Sequence, residues 1–201
     1  MYKQRFKHSI FVPLYKNRIK ELEQTNSHVR YLSIYRDIHR FLYILKIREG
    51  YKVIKKNIER TSNIMIHAHT LFADGGIAYK INKKKGIKYI VAVRNTDINI
   101  FWRFFPFYRR FATRVLMNAE KIIFISPAYK KQLLSKKELK GKNIEAKCMV
   151  IPNGIDDFYF NEKINLSEKQ NKLRLIFVGK FSQDKNIETI IKVFNVLKVK
   201  G

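Results

Sequence analysis

Short apolar, β-branched runs alternate with longer stretches of helical period along most of this chain, and that alternation restricts its fold more than any other feature. The runs "HSIFV" (8–12), "VRYLSIY" (29–35), "IMIHA" (64–68), "KYIVAV" (88–93), "KIIFIS" (121–126) and "KCMVI" (147–151) read as strands. Between them, 37–60 has the pattern of a long basic amphipathic helix and 73–85 that of a helix ending before Gly86, while Pro127 opens another at its first turn. Strand and helix in succession are the mark of a parallel sheet covered by helices, so an α/β fold is expected.

The pattern breaks once. After "IPNGID" a polar segment, "NEKINLSEKQNK" (161–172), reads as a surface linker, and "LRLIFVG" (173–179) with a helix from about Asn186 restarts the alternation. The expected organisation is a domain over 1–160, a linker over 161–172 and the beginning of a second α/β domain over 173–201. A single strand and helix cannot bury their own faces, so the chain is expected to be incomplete at its C-terminus.

Composition narrows the partners. Lys and Arg number 42 against 16 Asp and Glu, a formal net charge of +26, which favours partners that carry phosphate. Many of the lysines read equally well as solvated surface residues. Cys148 is the only cysteine, so no intramolecular disulfide or Cys-rich metal site can form, which suits a reducing compartment. No apolar run approaches the roughly 18 to 20 residues of a membrane-spanning helix. The basic start, "MYKQRFKHSIFVPLYK", has too short an apolar part for a secretory signal. A cytoplasmic location is expected.

The densest stretch is "NIFWRFFPFYRRF" (99–111), with seven aromatic rings and three arginines. Rings beside arginines suit stacking on bases, docking at a lipid headgroup layer or filling a core, so the stretch alone does not choose. Pro106 is expected in the first turn of a helix running to about Asn118, because inside a helix it would remove a hydrogen bond. Arg110 and Arg114 then share a face with Phe107 and Phe111, joined by Arg103 if the helix starts earlier.

Three segments taken in order, "IMIHAHTLFADGGIAYK" (64–80), "IVAVRNTDIN" running on to "IIFISPAYKKQLL" (90–134), and "VIPNGIDDFYF" with "LIFVGKFSQDKNIETII" (150–191), resemble the glycosyltransferase family four, the group 1 sugar transferases of the two-Rossmann GT-B fold. The resemblance covers nearly the whole chain. It implies a Rossmann-like N-terminal domain lacking its first strand, followed by the start of the nucleotide-sugar domain. Such enzymes open with a strand and a glycine-rich loop, whereas "HSIFVPLYKNRIK" is similar to their second or third strand, and the later pair of glutamates that grips the donor is absent.

What the resemblance implies about chemistry is transfer of a sugar from a nucleotide-diphosphate sugar to a glycan or lipid-linked acceptor, with no metal and no cofactor beyond that donor. Gly179, Lys180 and Lys185 stand where the family binds the donor pyrophosphate, with two solvated turn lysines as the alternative. His69 matches a histidine beside the transferred sugar; a core or capping role is the other reading. Gly75 and Gly76 let backbone approach a ligand or only pack tightly. Arg94, Asn95, Thr96 and Asp97 end a strand at the edge where open α/β sheets bind ligands and are candidates for contacting the acceptor. Arg103, Phe107, Arg110, Phe111 and Arg114 would meet an anionic membrane surface, which implies a peripheral enzyme at the inner face of the membrane. A nucleic-acid-binding module that stacks bases on Trp102, and an inactive transferase remnant, are the competing readings; no RNP-type, zinc-finger or helix-turn-helix pattern supports the former.

Overall fold

A computed structural model describes residues 8–16, 28–40, 42–58, 64–161, 176–179 and 181–200. The chain divides into two compact units, Met1–Gly154 and Ile155–Gly201.

The first unit bears out the expected α/β fold with parallel sheets. Strands β1 (Ile10–Tyr15) and β2 (Val29–Tyr35) pair in parallel, from Ile10 opposite Val29 to Tyr15 opposite Tyr35, with an irregularity between Leu14 and Tyr15. A second sheet holds β3 (Met65–Ala68), β4 (Lys88–Val93), β5 (Lys121–Phe124) and β6 (Cys148–Val150), all parallel and adjacent in chain order. Its register sets Ala68 beside Val91, Val93 beside Phe124 and Phe124 beside Val150, so the C-terminal strand ends form one edge.

Among the described residues four helices accompany these strands: α1 (Tyr43–Asn57), α2 (Ala73–Lys85), α3 (Arg109–Asn118) and α4 (Pro127–Leu134). The helical region expected over 37–60 is broken near Leu42, with one 3-10 turn at Asp37–Arg40 before α1. Two anchors explain the break. His39 Nδ1 accepts from the Arg36 N–H at 2.8 Å, and the Tyr43 hydroxyl donates to the Phe72 carbonyl at 2.7 Å. Gly86 ends α2 in the left-handed conformation, φ 69°, which glycine adopts without strain. Ser126 caps α4 by accepting from the Tyr129 N–H, and Pro127 fills its first turn.

Tyr89, Val91 and Val93 of β4 and Ile122 and Phe124 of β5 are buried against Ile77, Ala78 and Ile81 of α2 and Ala112, Val115 and Leu116 of α3. Each such aliphatic side chain contributes about 1.5 to 3 kcal/mol through the area it removes from water. Two polar contacts lock the same elements. The Tyr89 hydroxyl donates to the Val115 carbonyl at 2.5 Å, and Lys147 Nζ donates to the Met117 and Ala119 carbonyls at the end of α3.

The second unit contains α5 (Phe158–Asn161), a 3-10 turn at Gln183–Lys185 and α6 (Ile187–Lys200). Residues 162–172, the bulk of the expected linker, lie outside the described residues, as does the beginning of the strand expected over 173–179. Residues 176–178 pair with no other strand among the described residues. A strand needs a ladder partner for its backbone groups, and one apolar run does not supply it.

Candidate functional site

Ala68 is the last residue of β3, and the chain turns over four residues into α2. A buried carboxylate holds that turn. Asp97, 2% exposed, accepts from the Leu71 N–H at 3.0 Å, the Phe72 N–H at 3.2 Å and the Arg94 N–H at 2.9 Å. Burial pushes its carboxyl above the usual range, against the pull of these three donors. This corrects the expectation that Asp97 contacts an acceptor: its oxygens serve the backbone, clamping the turn after β3 to the turn after β4.

On that clamped edge the His67 and His69 rings stack with centroids 4.4 Å apart. Neither imidazole hydrogen-bonds to another of the described residues. Burial and the positive field of His69 and Arg94 hold His67 below the usual histidine range. Arg94 donates from Nε to the His69 carbonyl at 3.3 Å and from Nη1 to Asn153 Oδ1 at 2.8 Å, joining the ends of β3, β4 and β6. At the start of α2 the Thr70 hydroxyl accepts from the Asp74 N–H at 3.1 Å and donates to its carboxylate at 3.0 Å. Burial raises the Asp74 carboxyl, while Thr70, His69 and Lys46 pull it down. Lys46 lies over the rings of Tyr15 and Tyr35, 5.6 and 5.0 Å from their centroids.

Gly75 and Gly76 take the packing role of the two foreseen. A Cβ on Gly75 would stand 3.1 Å from the Thr70 carbonyl, Val91 and Val115, and one on Gly76 would collide with Ile47 and meet Phe111 at 3.2 Å. Both are buried within α2. Asn95 and Thr96 are exposed beside Arg94, and Asn95 Oδ1 accepts from Asn99, which accepts from Gln132 at 2.9 Å.

The aromatic stretch splits into two populations. Trp102, 2% exposed, and Phe101 pack on Phe72, at 6.3 and 5.2 Å between centroids. The buried indole is unavailable for the base stacking that the nucleic-acid reading requires. A π-helical turn at Asp97–Trp102 and a 3-10 turn at Pro106–Tyr108 precede α3, so Arg103 falls outside that helix. Arg109, which was not singled out from the sequence, fixes this bend by donating to the Trp102 and Arg103 carbonyls and pairing with Glu138 at 3.2 Å. Phe111 also departs from expectation: it packs edge-on against Tyr43 and Tyr79 at 6.0 and 5.7 Å, as part of the core rather than of an exposed face. What remains outside is Phe107, 92% exposed, with Phe104, Phe105, Arg103, Arg110 and Arg114.

In the second unit Lys185 is exposed at the end of its turn, directly before α6, and Asn186 (φ 50°) accepts from the Thr189 hydroxyl to cap that helix. Gly179 is exposed; Lys180 lies outside the described residues.

The arrangement is therefore a parallel α/β unit whose strand ends carry a histidine pair, an arginine and an asparagine held by a buried clamp. Residues 1–157 match the family model of Glycosyltransferase Family 4. The chain belongs to that family. No curated protein matches it. Family 4 membership makes glycosyl transfer the class of chemistry, with a nucleotide sugar as donor and a separate acceptor. The matched region contains the whole histidine–arginine edge. Among the described residues no helix is long and apolar enough to cross a membrane.

Asn153 and Thr70 were not singled out from the sequence as site residues. Asn153 stands in "PNGID", but nothing local in that motif reveals its partner 59 positions away.

Proposed function

We propose that this family 4 protein transfers a sugar from a nucleotide-diphosphate sugar to a glycan or lipid-linked acceptor during surface polysaccharide synthesis, working in the cytoplasm at the inner face of the membrane. The observation that carries the reading is the edge formed by His69, Arg94 and Asn153 at the C-terminal ends of β3, β4 and β6, where open α/β sheets receive ligands. Transfer breaks the bond between the anomeric carbon and the diphosphate and forms one to an acceptor oxygen, whose proton is lost. Charge builds on the departing diphosphate. Lys185, directly before α6, would meet that charge together with Gly179 and Lys180, since a helix start and fixed cations both favour an anion. His69 would donate a hydrogen bond to the transferred sugar. The exposed Phe107 with Arg103, Arg110 and Arg114 would hold the enzyme at an anionic bilayer.

The test is release of nucleoside diphosphate from a panel of nucleotide sugars, with anionic lipid extracts as acceptor. At least one donor should be turned over. His69→Ala and Lys185→Ala should each cut turnover at least tenfold, about 1.4 kcal/mol, with the melting temperature unchanged. Turnover within about threefold in both variants, a difference of only ~0.7 kcal/mol, would remove these assignments.

A further inference from the structure

The transfer reading leaves the acceptor's chemistry open, and the sheet edge narrows it. Four cationic or protonatable groups gather there: His67 and His69 from β3 and its turn, Arg94 from the end of β4, and Lys46 from α1. Two carboxylates lie near them among the described residues, and both are engaged: Asp74, on α2, by Thr70, and the buried Asp97 by the Leu71, Phe72 and Arg94 N–H groups. Two of Arg94's five N–H groups are used, on the His69 carbonyl and on Asn153. The other three find no hydrogen-bond partner among the described residues, and neither do the nitrogens of the two imidazoles. Both imidazoles are exposed. These donors are also held in place. The His69 carbonyl is fixed by Arg94, and the Arg94 backbone by Asp97. A neutral sugar hydroxyl does not require a guanidinium with three free N–H groups flanked by two unpaired imidazoles; an oxyanion suits them, because hydrogen bonds to a charged group are the strong ones.

We propose that the acceptor carries an oxyanion, phosphoryl or carboxyl, bound by His67, His69 and Arg94. The proposal rests on the transferase reading for its word "acceptor", while the oxyanion site stands on the edge itself. Burial and the positive field of His69 and Arg94 hold His67 low, and binding an anion beside it favours the protonated ring. It also gives the site a pH dependence, with affinity falling as pH rises and His67 loses its proton.

The chain contains five histidines, and His8 and His28, whose rings are 5.2 Å apart beside the starts of β1 and β2, serve as an internal control. The experiment is a proton NMR titration of the imidazole resonances in the intact chain, at ionic strength fixed with sodium chloride. The probes are inorganic phosphate, methyl glucuronide, neutral methyl glucoside and uridine diphosphate. Phosphate, the glucuronide or both should shift the His67 and His69 signals saturably and raise the His67 titration midpoint by about half a pH unit or more, with His8 and His28 unmoved. A response to phosphate alone assigns a phosphoryl acceptor, and one to the glucuronide alone a carboxyl acceptor. Arg94→Gln should weaken binding at least tenfold. His67→Asn, which leaves the clamped turn untouched, should weaken it about threefold or more. Equal shifts in all four exposed histidines, an equal response to the neutral glucoside, or unchanged binding in both variants would overturn the proposal. Uridine diphosphate binding this edge tenfold more tightly than phosphate would overturn the acceptor assignment in favour of the donor. Failure of the donor-turnover panel with phosphate binding intact would instead strike the transferase reading.

Discussion

Arg94 and Asn153, 59 positions apart in the chain, meet at 2.8 Å between Nη1 and Oδ1, so the segment after β6 is tied to the side chain that also holds the His69 carbonyl. The contact is solvent-exposed and contributes little to global stability, on the order of 1 kcal/mol or less. Its local effect is larger. Asn153→Ala should leave the melting temperature within about 2 °C while exchange of the Ile151 amide speeds up several-fold. Unchanged exchange there would mean that Pro152 and the Ile151 N–H to Phe124 carbonyl bond at 2.8 Å suffice to hold the segment.

The Asp97 clamp should behave oppositely, as a stability element. Asp97→Ala strands three backbone N–H groups, each costing about 1 to 3 kcal/mol if it stays buried. A loss of at least about 2 kcal/mol, read by urea unfolding, is expected. Asp97→Asn retains one acceptor oxygen and should cost less. If the Ala variant unfolded at the wild-type midpoint, the turns after β3 and β4 would be held by packing alone.

His67 predicts a pH dependence whose sign is fixed. Its folded pKa lies below the unfolded value because burial, His69 and Arg94 disfavour the charged ring. Such a group contributes stability that is present above the unfolded value, about 6.5, and is lost as pH falls through the folded one. Thermal stability should therefore decline as pH falls below about 6.5, and His67→Gln should flatten part of that decline. Parallel curves for the two proteins would refute the assignment.

Gly75 tests packing against ligand approach. The neighbours of an added Cβ are the Thr70 carbonyl, Val91 and Val115, each at 3.1 Å, so each must give by a few tenths of an ångström. Gly75→Ala gains about 1 kcal/mol of helix propensity but overpacks at a cost of about 1 to 3 kcal/mol. A net loss near 1 kcal/mol is expected, measured by chemical denaturation. Stabilisation by the substitution would show that the helix has room to move off the sheet.

The exposed remnant of the aromatic stretch predicts membrane behaviour. Arg103, Arg110 and Arg114 should each contribute about 1 kcal/mol near an anionic surface, so replacing all three by Gln should weaken binding to anionic vesicles about a hundredfold. Phe107→Ser should weaken it further. Flotation with phosphatidylserine vesicles measures both, and neutral vesicles should retain little of any variant. Binding unaltered by the triple change, with circular dichroism unchanged, would remove the membrane role.

The sequence was most legible where local rules act alone. Residues 29–35, 73–85 and 88–93 fold with their expected limits because β-branched content, a glycine stop and a strict apolar pattern agree there. It was least legible where a distant partner decides. Asp97 reads as one more polar residue after a strand, and only the fold brings Leu71 and Phe72 to its oxygens. Phe107 and Phe111 share a helical spacing, yet the turn at Pro106–Tyr108 leaves one in solvent and carries the other onto Tyr43 and Tyr79. The break at Leu42 was hidden for the same reason, since Tyr43 is anchored by a carbonyl 29 positions on.

The neighbour-by-neighbour order of β3 to β6 has a consequence for how the molecule comes into being. Every strand in that sheet pairs with the next one in the chain, so each new ladder closes a crossover of only roughly 20 to 30 residues, a modest loop-closure entropy. The sheet can then grow in the direction of synthesis, each strand laid against a finished edge as it leaves the ribosome, and no early strand waits for a late one. Pairing with the next strand in the chain keeps each crossover as short as a parallel ladder allows and limits how long an unpaired apolar edge is open to other chains.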